Sequence, residues 1–193
     1  MDAFKWYFWI INKNRKKIFV IKTVIMICGL GSAGKSTLTK ILKEKYFNNA
    51  KICSVDYFTC NGYNIKEGVK EWTRQVKESF LEYETIILDY CLDSLESRKK
   101  FLKSFNFPKN INFICLYLDT SPQKIIEHNF KRNPAYELNE HEANKIYKYY
   151  YNQEFPNETE FKQFSNSKIF IIKDNDYELL FKNLNKKKEL TIK

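Results

Sequence analysis

The chain has 193 residues, a length suited to one ordinary domain that can bury its own core. Hydrophobic residues make up 44% and aromatics 17%, which excludes a chain disordered throughout. The net charge of +10 favours an anionic partner such as a nucleic acid, a nucleotide or an acidic membrane surface, yet Lys, Asn, Ile, Tyr and Phe are abundant throughout, as an AT-rich gene would give, so the charge is a weak witness for polyanion binding.

Residues 1–21 read as an extension. Phe4 to Ile11 is strongly aromatic, and Lys13, Arg15, Lys16 and Lys17 follow it. The apolar run is too short to span a bilayer, so no integral membrane segment is expected. Its order, apolar first and basic second, is the reverse of a secretory signal. An organelle-targeting segment, an interfacial anchor and an added strand all stay open, with the strand favoured.

Val24 to Cys28 is an apolar run of strand length. It feeds Gly29-Leu30-Gly31-Ser32-Ala33-Gly34-Lys35-Ser36, which fits the phosphate-binding pattern G-x-x-x-x-G-K-[ST] without a mismatch. Thr37 to Lys43 then reads as an amphipathic helix. A loop between strand and helix can turn its N–H groups and the positive helix end onto a phosphate. The candidate nucleotide contacts are therefore Gly29, Gly31, Ser32, Ala33, Gly34, Lys35, Ser36 and Thr37. Lys35 is expected on the β- and γ-phosphates and Ser36 on Mg²⁺, which makes ATP and Mg²⁺ the expected cofactors.

A second strand is expected over Lys51–Val55 and a loop over Asp56–Asn64. A helix follows over Lys66–Glu82, with Val69, Trp72, Val76 and Phe80 at helical spacing. The third strand is Glu84–Asp89, followed by a helix over Leu95–Phe105 whose basic face carries Arg98, Lys99, Lys100 and Lys103. Asn112–Leu118 is a fourth strand. Ser121-Pro122 opens the next helix as cap and first residue, and Asn133-Pro134 breaks it. Asn139–Tyr151 is helical, Lys168–Ile172 is a fifth strand, and Tyr177–Leu184 is a last helix. The pattern predicts an α/β fold, a P-loop NTPase three-layer α/β/α sandwich on a five-stranded, mostly parallel sheet. The kinase domain spans 22–185, with a lid near 131–139, and 186–193 is a basic, loose tail.

Ligands of such sheets bind at the carboxyl ends of the strands, which singles out three further residues. Asp56 directly follows the second strand and suits a general base for an acceptor hydroxyl. Asp89 closes Ile86-Ile87-Leu88 in an acid, the form of a Mg²⁺-binding carboxylate beside a P-loop. Arg132 stands at a helix end where a lid arginine can reach the transferring phosphoryl group. The five cysteines, Cys28, Cys53, Cys60, Cys91 and Cys115, form no C-x-x-C or Cys/His cluster, which argues against structural zinc and for a reducing, intracellular compartment. Cys28, Cys53, Cys91 and Cys115 read as small buried hydrophobes, and His128 and His141 as helix-surface residues.

From Val24 to about Pro156 the chain resembles the small P-loop kinases typified by bacteriophage polynucleotide 5′-hydroxyl kinase and its zeta-toxin-like AAA_33 relatives. Four blocks carry the likeness: Gly29 to Ser36; Cys53-Ser54-Val55-Asp56-Tyr57-Phe58 with Gly62-Tyr63; Ile86-Ile87-Leu88-Asp89 with Ser97-Arg98-Lys99-Lys100; and His128-Asn129-Phe130-Lys131-Arg132. The resemblance implies Lys35, Asp56 and Arg132 as catalytic residues and Ser36 and Asp89 at the metal. It departs at Val55-Asp56, where relatives often have two aspartates, and at Tyr90-Cys91, in place of Thr-Asn. The implied activity is γ-phosphate transfer from ATP to a hydroxyl, first of all the 5′-hydroxyl of a polynucleotide. A nucleoside, sugar or nucleotide-sugar acceptor is the alternative, as is a nucleotide-dependent switch with little catalysis.

Overall fold

A computed structural model describes residues 21–136 and 138–191. The extension over residues 1–21, Ile21 apart, lies outside the described residues. The elements run β1 (Thr23–Gly29), α1 (Lys35–Lys45), β2 (Lys51–Ser54), α2 (Val55–Cys60), α3 (Ile65–Glu82), β3 (Thr85–Asp89), α4 (Leu95–Phe105), β4 (Asn112–Asp119), α5 (Pro122–Arg132), α6 (Glu140–Tyr151), α7 (Glu158–Phe161), β5 (Asn166–Lys173) and α8 (Glu178–Thr191).

The five strands form one sheet in the order β2-β3-β1-β4-β5, and every pairing is parallel. Alternation along β1 divides the core. Val24, Met26 and Cys28 face one layer, with Trp72, Val76 and Phe80 of α3 and Phe101, Leu102 and Phe105 of α4. Ile25 and Ile27 face the other, with Leu38 and Leu42 of α1 and Leu180 and Leu184 of α8. The central strand is thus covered on both faces, as its unbroken apolar run requires. The result is the three-layer α/β/α sandwich expected.

Local chemistry fixes the element ends. Asn64 caps α3 by accepting from the Glu67 N–H at 3.0 Å. At the other end, the Lys22 ammonium donates to the carbonyls of Phe80, Leu81 and Tyr83, groups that a helix terminus leaves orphaned. Ser94 and Ser97 form a reciprocal capping box at the start of α4.

The structure corrects several expectations. The segment after β2 is a short helix rather than a loop. Val55 and Phe58, three residues apart, are both buried, and packing outweighs the poor helix propensity of the aromatic and β-branched residues there. α7 was not anticipated, and α8 runs to Thr191, past the expected end at Leu184. Arg98 leaves the expected basic face altogether. It is 0% exposed and forms a bidentate pair with the equally buried Glu160, Nε to Oε2 at 2.8 Å and Nη2 to Oε1 at 3.2 Å. Its Nη1 donates to the Leu92 carbonyl and its guanidinium lies over the Tyr117 ring. Arg98 therefore ties α4 to the segment before β5 and is unavailable to a ligand.

Candidate functional site

The loop from Gly29 to Gly34 leaves β1 at the carboxyl edge of the sheet and turns into α1. Two glycines are required by geometry. Gly29 has φ +136°, and a Cβ there would meet the Leu118 carbonyl oxygen of β4 at 2.8 Å. Gly34, at the N-cap of α1, has φ +98°, and its Cβ would sit 3.0 Å from Asn175 Oδ1. Ser32, at φ +58°, is a non-glycine residue in the left-handed region. Such alternation of backbone hands directs successive N–H groups into one concavity, an anion-binding nest.

Neighbouring elements hold this loop. The Thr120 hydroxyl donates to the Ala33 carbonyl at 2.9 Å. The Ser32 hydroxyl donates to Asn129 Oδ1 at 2.5 Å, and His128 Nδ1 lies 2.8 Å from the Ser32 carbonyl oxygen. The Cys91 thiol donates to the Gly29 carbonyl at 3.4 Å. His128 is therefore a support for the phosphate loop rather than the ordinary surface residue expected. Cys91 is an exposed residue whose thiol faces the loop, rather than a buried hydrophobe. Tyr90, its neighbour, instead turns into the core against Trp72, the ring centroids 4.9 Å apart.

Lys35 folds back over the loop, its Nζ donating to the carbonyls of Gly29 at 3.1 Å and Leu30 at 2.7 Å. Asp89 ends β3 beside Ile27 of β1 and is 5% exposed. Burial pushes its carboxyl above the usual range; the Ser36 hydroxyl and the Lys35 charge pull the other way, while the Asp56 charge raises it further. The carboxylate of Asp56, in the first turn of α2, is thus close enough to Asp89 to act on its titration. Lys35-Ser36, Asp56 and Asp89, three sites apart in sequence, lie beyond the carboxyl ends of the neighbouring strands β1, β2 and β3. Among the described residues no group of three or more His, Cys, Asp and Glu forms a metal cage. The buried Asp89 carboxylate, the Ser36 hydroxyl and the Asp56 carboxylate are nonetheless oxygen-only donors of the kind Mg²⁺ takes together with phosphates.

Two clefts flank the loop. One, of about 400 Å³, is lined by Ser32, Gly34, Thr37, His128, Arg132 and Asn175 among others, which brings exposed Arg132 beside the phosphate nest. Asn175 and Tyr177 were missed in the sequence. They sit in a turn where Asp174 and Asn175 both have positive φ, and the Tyr177 hydroxyl donates to Asn175 Oδ1 at 3.0 Å. Only the Asn-Asp composition after β5 signals that turn. Asp174 accepts from the Ser121 N–H at 2.8 Å, which fixes the turn against the start of α5. The other cleft, of about 410 Å³, is lined by Leu30, Gly31, Cys91, Asp93, Lys145 and Tyr149 among others, so α6 forms its far wall.

No protein-family model matches this sequence, and no curated protein matches it. Solved structures do. A chain of the Pnkp1/Rnl/Hen1 RNA repair complex superposes with a TM-score of 0.56 at 14% identity, over 78% of this chain and 46% of that one, so this chain spans under half its length. A presumed kinase from Chloroflexus aurantiacus superposes with a TM-score of 0.59 at 11% identity, over 88% of this chain and 96% of that one. A sugar kinase from Janibacter sp. HTCC2649 gives 0.53 at 14% identity, over 85% and 93%. The chain has the fold shared by these P-loop kinases. Among the described residues, no helix is long and apolar enough to cross a membrane.

Proposed function

We propose that the protein is an ATP- and Mg²⁺-dependent kinase that transfers the γ-phosphate to a hydroxyl, the 5′-hydroxyl of a polynucleotide being the acceptor. The observation that carries this reading is the nest geometry of the Gly29–Gly34 loop, with Lys35 folded over it and Asp89 and Asp56 at the ends of the neighbouring strands.

Phosphoryl transfer asks a protein mainly for position and charge. The loop N–H groups from Gly31 to Ser36 bind phosphate oxygens. Lys35, now resting on loop carbonyls, turns to the β- and γ-phosphates. Ser36 and Asp89 would hold Mg²⁺, which would supply positive charge to the phosphates. Asp56 accepts the proton of the attacking hydroxyl, and its freedom from any side-chain hydrogen bond among the described residues leaves it available. Arg132 closes over the donor-side cleft with the 131–139 segment and stabilises charge in the transition state.

Likeness to an RNA-repair chain and to a sugar kinase alike leaves the acceptor to experiment. Transfer of radiolabelled γ-phosphate would be measured on 5′-hydroxyl oligonucleotides, nucleosides and sugars in parallel. Labelled oligonucleotide is the expected product. Labelling of a sugar or nucleoside, with none on any oligonucleotide, would replace this acceptor assignment while leaving a kinase.

A further inference from the structure

Among the described residues, α4 carries a groove with three lysines outside any ion pair, which the transfer reaction itself does not use. A depression of about 690 Å³ is lined by Ser94, Leu95, Glu96, Lys99, Lys100, Lys103 and Glu154. The three lysines are exposed, and among the described residues no ion pair engages any of them. Glu96 precedes Lys100 by four residues, a spacing that suits a helix-surface pair, yet none forms. The Glu154 carboxylate instead accepts from the Leu95 N–H at 2.7 Å, at the positive end of α4. α3 behaves otherwise: its exposed Arg74 is held by both Glu71 and Glu78.

The groove also has a place. Asp93 lines the cleft beside the phosphate loop, and the next residue, Ser94, lines the groove. Adjacent residues of the β3–α4 connection thus line the two depressions. Glu154 forms part of the groove wall, and its N–H donates to the Asp93 carbonyl at 3.3 Å. Lys99 and Lys103 stand about one helical turn apart, roughly 6 Å, which suits neighbouring phosphates of an extended strand.

We propose that the Lys99–Lys100–Lys103 groove is a phosphodiester subsite, holding a single-stranded acceptor downstream of the 5′ end that lies at the phosphate loop. This rests on the polynucleotide reading above. The strand enters 5′ end first, passes Asp93, and lays its later phosphates along α4. Three neutralised phosphates make binding steeply dependent on salt.

The test compares KM for a 5′-hydroxyl dinucleotide and a 5′-hydroxyl 12-mer. The proteins are wild type, a Lys99→Ala/Lys100→Ala/Lys103→Ala variant, and a control with Lys66→Ala/Lys70→Ala/Lys77→Ala on α3. Wild type and control are expected to favour the 12-mer by at least about tenfold. In the α4 variant that ratio collapses toward one, and the slope of log affinity against log salt shrinks by about 2. A ratio that survives in the α4 variant, or is absent from wild type, overturns the groove. An equal collapse in the α3 control overturns it too, since charge alone would then suffice.

If no oligonucleotide is phosphorylated, the acceptor reading has failed, and anisotropy of a fluorescent 12-mer decides the groove separately. Weaker binding by the α4 variant keeps the groove. Equal binding by both proteins, or displacement of the 12-mer by polyglutamate at equal charge concentration, removes it.

Discussion

The two sides of the proposed catalytic cleft are built to different standards. The phosphate side rises from buried strands, and its loop is gripped by Thr120, His128, Asn129 and Cys91. The opposite side is α2 and the turn after it, where Asp56, Tyr57, Tyr63 and Ile65 stand exposed. Phosphate geometry is the same in every nucleoside triphosphate, so a rigid cradle loses nothing by being over-determined. On the function proposed above, an acceptor must enter and leave, and the side that would meet it has fewer ties. Strain follows the same division, since left-handed Ser32 persists only where neighbours hold it.

Substitutions can break or sharpen that comparison. Arg132→Ala is expected to cost the most, about 10³-fold or more in kcat with ATP affinity little changed, read by steady-state kinetics. Lys35→Ala should cost about 10³-fold and weaken ATP binding as well, which calorimetry would register. The contrast between the two separates a residue that acts in the transition state from one that belongs to the cradle.

On the stability scale, Glu160→Ala strands a buried guanidinium and should lose about 3–5 kcal/mol in urea unfolding, with loop contacts untouched. Asp89→Asn should do the reverse. Burial raises the Asp89 carboxyl, so the folded state holds that proton more tightly than the unfolded chain, and stability falls as pH rises through the folded-state pKa. The asparagine removes that loss. The metal-free variant should melt higher than wild type at neutral pH, yet transfer no phosphate. The smallest effect is expected from His128→Ala, about 1 kcal/mol from one lost contact to the Ser32 carbonyl.

Periodicity and spacing made the sheet, its helices and the phosphate loop legible, because β1 and β4 are apolar runs of strand length and the loop is a contiguous pattern. α2 was not legible. Its residues have weak helix propensity, and only burial of Val55 and Phe58 against α3 makes it a helix. Arg98 was misread for a related reason: a lysine-rich helix face looks uniformly solvated until Glu160, distant in sequence, is folded against it. His128 and Asn175 were beyond reach because what they do depends on a loop nearly a hundred or more residues away. Asp89 and Asp56 could be named as single residues, whereas their electrostatic coupling required coordinates.

The account stands or falls on an acid across the cleft priming the incoming alcohol. Asp56→Asn, assayed for ATP affinity and for single-turnover transfer to a 5′-hydroxyl oligonucleotide, tests this most directly. ATP binding should hold within about twofold while the transfer rate falls by about 10²–10⁴-fold. Transfer at the wild-type rate in that variant would contradict it.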